Sequence, residues 1–65
     1  MPTIRVDMYE GRTPDQKRAL AQALTEACVH ALGSAPESVT VMMYDVPKHN
    51  WAKAGVLASD PKPGG

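Results

Sequence analysis

Polar and apolar residues alternate without a break from Thr3 to Tyr9. Ile4, Val6 and Met8 fall on one side, and Thr3, Arg5, Asp7 and Tyr9 on the other. A period of two is that of a strand with one face packed and one face open. Glu10-Gly11-Arg12 interrupts the alternation and predicts a turn, with Gly11 supplying freedom in φ. The period then lengthens: Leu20, Leu24, Ala27, Cys28 and Ala31 recur at helical spacing and form an apolar stripe. Lys17, Arg18, Gln22 and Glu26 lie mostly off that stripe. The helix has a marked start, because Thr13 can cap it, Pro14 suits its first position and Gln16 closes a capping box. It should end at Leu32, with Gly33 as the residue that turns the chain away.

After a short loop from Ser34 to Ser38, alternation returns over Val39–Asp45. Val41 and Met43 share one face, and Thr40, Met42 and Tyr44 the other. A strand, a long helix and a second strand make a β-α-β unit of the α+β class, with parallel strands and a right-handed crossover. Pro47 ends the second strand. The segment from Lys48 to Leu57 is too short and Gly-containing for a second packed helix, and reads as a turn followed by a small hairpin or extended arm. The tail from Asp60 to Gly65 is expected to be disordered. With no repeat and no linker, residues 1–65 are expected to form a single domain.

Size changes this picture. A chain below about 70–80 residues rarely gains more than roughly 3–5 kcal/mol from its own core. Cys28 is the lone cysteine, so no intrachain disulfide can help, and Cys28 and His30 would diverge on a helix rather than share a metal. One helix can cover only one face of a two-stranded sheet. The other face would carry Arg5, Tyr9, Thr40, Met42 and Tyr44, and the arm around Trp51 has no obvious place in its own subunit. These features predict a homo-oligomer with a shared core and with sites built from more than one chain. Seven basic residues balance seven acidic ones, with no Lys/Arg cluster, which argues against nucleic acid as a partner. No apolar run is long enough to span a membrane, and Arg5 and Asp7 fall where the apolar part of a signal peptide would be, so a cytoplasmic chain is expected.

The candidate chemistry sits at the amino terminus. An initiator Met before a small residue such as Pro2 is normally trimmed, which leaves a free secondary amine. An α-amino group titrates near pH 8 in model peptides. An apolar pocket beside a cation lowers that value and makes a base that works at neutral pH. Taken alone, Met-Pro is a common start, and such a proline ordinarily does no more than begin a strand.

Taken in order, several short motifs resemble the 4-oxalocrotonate tautomerase family. They are Pro2 after Met1, Glu10-Gly11-Arg12 after the first strand, Thr13-Pro14-Asp15-Gln16-Lys17 at the helix start, Ser38-Val39 before the second strand, and Asn50-Trp51-Ala52-Lys53-Ala54-Gly55 on the arm. The resemblance runs from Pro2 to about Ser59 and is carried by the order and spacing of motifs that are each weak alone. It implies a β-α-β protomer assembled as a hexamer, a trimer of dimers, that uses no metal or organic cofactor. It implies that Pro2 is the general base and that Arg12 binds a carboxylate of the substrate. Trp51, where the family usually carries Phe, would close the pocket and exclude water. The family's second arginine would fall at Thr40, which has a hydroxyl but no charge. Arg5 or Lys53 could stand in for it, and the Tyr9 phenol could reach a substrate oxygen. The change at Thr40 points to a monocarboxylate, or to an aryl substrate stacked on Trp51.

The function implied is enol–keto proton transfer on a small 2-oxo acid, a small-molecule carboxylate. Two alternatives stand beside it. Hydration or dehalogenation of an unsaturated acid would need a carboxylate to activate water, for which Asp7, Glu10 and Glu37 are available. A non-catalytic oligomer that binds a small acid is the other. The remaining polar and sulfur side chains have simpler readings: Cys28, Met8, Met42 and Met43 as packing, His30 on or beside the helix stripe, His49 in an exposed turn.

Overall fold

Strand β1 spans Thr3–Tyr9 and strand β2 spans Thr40–Val46. They pair in parallel, in register from Thr3 opposite Thr40 to Tyr9 opposite Val46. The computed structural model describes residues 1–61. Helix α1, Pro14–Leu32, connects the two strands and packs on one face of the sheet. Ile4, Val6, Met8, Val41 and Met43 are half-buried, and their neighbours Arg5, Asp7, Met42 and Tyr44 are exposed on the other face. The alternation in the sequence is therefore the alternation of the sheet.

The ends of α1 follow from local chemistry. The Gln16 amide donates to Thr13 Oγ1 at 3.1 Å, and the Thr13 amide donates to Gln16 Oε1 at 2.9 Å. Both donors would otherwise be left without partners at a helix start. At the other end Gly33 takes a left-handed conformation, φ 68°, and its amide donates to the Val29 carbonyl at 3.0 Å. Lys17 Nζ lies 2.6 Å from Asp45 Oδ2 and ties the first turn of α1 to the end of β2. Both partners are partly exposed, so the pair contributes no more than about 1 kcal/mol.

The packed face of α1 differs from the expected stripe. Lys17, Leu20, Ala21, Leu24, Thr25, Cys28 and Val29 are half-buried, whereas Ala27 and Ala31 are exposed. The helix is turned toward Ala21, Thr25 and Val29. An alanine has too little surface to fix the phase of a helix, and Leu20, Leu24 and Val29 decide it. Thr25 is tolerated on that face because its hydroxyl donates to the Ala21 carbonyl at 2.8 Å. His30 is exposed.

Two boundaries also shift. Val39 does not open β2, because its amide closes a 3-10 turn over Pro36–Ser38 by donating to the Pro36 carbonyl at 3.2 Å. After Pro47, a second 3-10 turn, Lys48–Asn50, leads into an antiparallel hairpin of β3, Ala52–Lys53, and β4, Val56–Leu57. Its turn residues Ala54 and Gly55 have φ of 53° and 79°, the consecutive positive values of a type I′ turn. The Ala58 amide donates to the Trp51 carbonyl at 2.7 Å, and the Asp60 amide to the Leu57 carbonyl at 3.0 Å. Asp60, the first residue of the expected tail, closes this turn. Residues 62–65 of that expected tail lie outside the described residues.

Among the described residues none is fully buried. The sheet face away from α1 leaves Met42 38% and Tyr44 42% exposed. No described helix is long and apolar enough to cross a membrane.

Candidate active site

The five candidate residues fall at the two ends of β1. Pro2 precedes the strand, and its carbonyl accepts a hydrogen bond of 3.0 Å from the Thr40 amide. This bond continues the parallel ladder by one step and fixes the proline relative to the start of β2. Thr40 is exposed, on the sheet face that α1 does not cover. Tyr9, Arg12 and Trp51 belong to the other end. At about 3.3 Å per residue, β1 separates the two groups by roughly 20 Å. No single protomer can therefore bring Pro2 against Tyr9 or Trp51.

At the far end the arm does find a place in its own subunit. The Trp51 ring packs edge-on against Tyr9, with ring centroids 4.8 Å apart and an interplanar angle of 65°. The expectation that Trp51 has no partner within its own chain is corrected here. Tyr9 is 38% exposed and stands on the bare sheet face, where a planar neighbour removes apolar surface from water. Lys48 Nζ sits 5.4 Å from the Tyr9 ring centroid, within reach of a cation–π contact. The pair forms one wall of a groove that Lys53, Val56, Leu57 and Asp60 complete. The sequence does not announce Lys48, Val56, Leu57 or Asp60 as site residues, because the 3-10 turn after Pro47 brings Lys48 to Tyr9 and the hairpin turn brings the others.

Arg12 lies beyond the same end of β1 but on the helix side. It lines a depression with Val6, Met8, Gln16, Lys17 and Leu20. Gly11, with φ 110°, makes the turn that carries the chain from the strand to Arg12.

The cations considered as substitutes at Thr40 divide cleanly. Arg5 is committed: its guanidinium is 3.3 Å from Asp7 Oδ1 and 4.3 Å from the Tyr44 ring centroid. Lys53 lines the Tyr9–Trp51 groove. Of the carboxylates considered for water activation, Asp7 is the one held by Arg5. Among the described residues no three His, Cys, Asp or Glu side chains gather in a way that could hold a metal ion.

Comparison with known proteins places this geometry. Residues 2–60 match the family described as "Tautomerase enzyme". The chain is 43% identical over 60 residues to a 2-hydroxymuconate tautomerase of Comamonas testosteroni, covering 92% of this chain and 95% of that relative. A solved 4-oxalocrotonate tautomerase homologue superposes with a TM-score of 0.85 at 42% identity, covering 95% of this chain and 98% of the other. A heterohexamer 4-oxalocrotonate tautomerase from Chloroflexus aurantiacus J-10-fl superposes with a TM-score of 0.88 at 31% identity, covering 95% and 100%.

Proposed function

The chain belongs to the tautomerase family and is an isomerase of that kind, and from this premise we propose that Pro2, freed by removal of Met1, is its general base. The observation that carries the reading is the position of Pro2. The family match begins at this residue, and the Thr40 amide holds its carbonyl at the head of β1.

The amine takes the proton from the enol oxygen of a small 2-oxo acid, the C–O bond becomes a carbonyl, and the same nitrogen returns the proton to a carbon of the conjugated system. No atom is gained or lost. Arg12 holds a carboxylate of the substrate through charge-assisted hydrogen bonds. Tyr9 and Trp51 cover the reacting atoms and exclude water, which disfavours the protonated amine. Thr40 supplies at most a neutral hydrogen bond from its hydroxyl. That a relative is named for 2-hydroxymuconate supports an enol acid as the substrate class.

Such a site needs more than one copy of the chain. Among the described residues the outer edge of β1 has no strand partner. Antiparallel pairing of β1 with β1 of a second copy brings Pro2 of one protomer to the Tyr9 and Arg12 end of the other. A homo-oligomer, a hexamer built as a trimer of such dimers, is the assembly proposed, and the absence of any fully buried described residue supports it. The intact mass of the protein from its own cells tests the premise. A mass short by one methionine leaves a free Pro2 amine, whereas retained Met1 makes that nitrogen an amide with no usable basicity and sinks the proposal.

A further inference from the structure

Asp45 breaks the pattern of β2. It follows Val41 and Met43 onto the sheet face that α1 covers, where alternation calls for an apolar side chain, and the register sets it opposite Met8. Its carboxylate receives Lys17 Nζ at 2.6 Å from the first turn of α1. The next residue, Val46, accepts the Glu10 amide at its carbonyl, at 3.1 Å. Two consecutive residues at the end of β2 therefore hold the chain on either side of Arg12. Between these tethers lie the Gly11 turn, with φ 110°, and the Thr13–Gln16 capping box. Arg12 is the one guanidinium outside an ion pair among the described residues, since Arg5 is paired with Asp7 and Arg18 with Asp15. Lys17 lines the same depression as Arg12. Its ammonium is neutralised by Asp45, which leaves Arg12 as the cation there without a counter-charge.

We propose that Lys17 and Asp45 are positioning residues for Arg12. Their ion pair ties the start of α1 to the end of β2, and so sets where the guanidinium meets a substrate carboxylate. This rests on the reading of Arg12 as the carboxylate-binding residue. A pair with both partners partly exposed adds little to stability. Its effect on placement is larger, because a binding contact has to be held to within about 0.5 Å and no ion pair of its own holds Arg12. The pair touches no substrate atom and acts through the frame that carries Arg12.

The test is steady-state turnover of the enol of phenylpyruvate, a 2-oxo acid with one carboxylate, by the intact oligomer. Lys17→Met and Asp45→Asn should each raise KM about three- to fivefold, the factor that matches an exposed pair of this kind, and leave kcat nearly unchanged. The signs separate placement from simple attraction. A cation that only drew in the acid would give a higher KM in Lys17→Met and a lower one in Asp45→Asn, which frees the ammonium. The double variant should be no worse than either single one, and Lys17→Arg should restore the KM. In an Arg12→Ala background neither substitution should move KM further. A KM that is unchanged or lower in Asp45→Asn, or a further loss on top of Arg12→Ala, would overturn the proposal. Failure of the Arg12 reading shows differently, as a KM that Arg12→Ala leaves unchanged.

Discussion

Trp51 and Tyr9 meet edge to face at 4.8 Å, the hairpin arm reaching back to the last residue of β1. Such a pair is worth about 0.5–1.5 kcal/mol beyond the area it buries. It fixes where the arm lies, and so where the groove is. Trp51→Ala is expected to raise KM more than it lowers kcat and to reduce the melting temperature by a few degrees, while Trp51→Phe restores most of both. Steady-state kinetics and a thermal melt on the three proteins check this. Equal activity in all three would show that the ring serves only as packing.

Pro2→Ala should lower kcat/KM by about 10²–10⁴, the range for loss of a positioned general base. The oligomer should be unchanged by size-exclusion chromatography, because the Thr40 amide bonds to the backbone of residue 2 and not to the ring. The pH profile carries a sign. The base acts deprotonated, so kcat/KM rises with pH through the pKa of the amine. Desolvation in the covered site proposed is expected to place that midpoint below the ~8 of an ordinary α-amino group. A midpoint above that value argues against a covered amine.

In the proposed role of Arg12, Arg12→Ala removes the carboxylate contact. Hydrogen bonds to charged groups are worth about 1.5–3 kcal/mol, so KM should rise by roughly 10–100-fold with a smaller change in kcat. Arg12→Lys should recover part of the loss, since a point charge replaces a planar fork. Initial-rate measurements on an enol acid decide it, and an unchanged KM would reassign Arg12 to a solvated turn.

Ala54 occupies a position with φ of 53° in the hairpin turn. A side chain with a β-carbon is strained there by about 1–2 kcal/mol. Ala54→Gly, which relieves the strain but loosens the unfolded chain, should stabilise the protein modestly, and Ala54→Asn, a residue favoured in type I′ turns, should do at least as well. Chemical denaturation of the oligomer at fixed protein concentration measures both. A loss of stability in each would mean that the turn is not the strained element its backbone indicates.

Much of this molecule was legible along the chain because its signals are short-range. The capping box of Thr13 and Gln16, the stop at Gly33 and the alternation of β1 and β2 depend on hydrogen bonds and side-chain directions within a few residues, and each stands in the structure where the pattern puts it. The order of the motifs from Pro2 to Trp51 likewise carried the family. What the pattern alone left open is what depends on partners distant in sequence. The phase of α1 was settled by packing, which buries Ala21 and Val29 and exposes Ala27 and Ala31, because alanine spacing is nearly indifferent to a small rotation of the helix. The start of β2 was settled by the turn that uses the Val39 amide. The Tyr9–Trp51 contact exists only once a parallel sheet and a hairpin bring the ends of the chain together. The same sheet places Pro2 and Arg12 a strand's length apart, so that the site proposed here needs the end of a second chain.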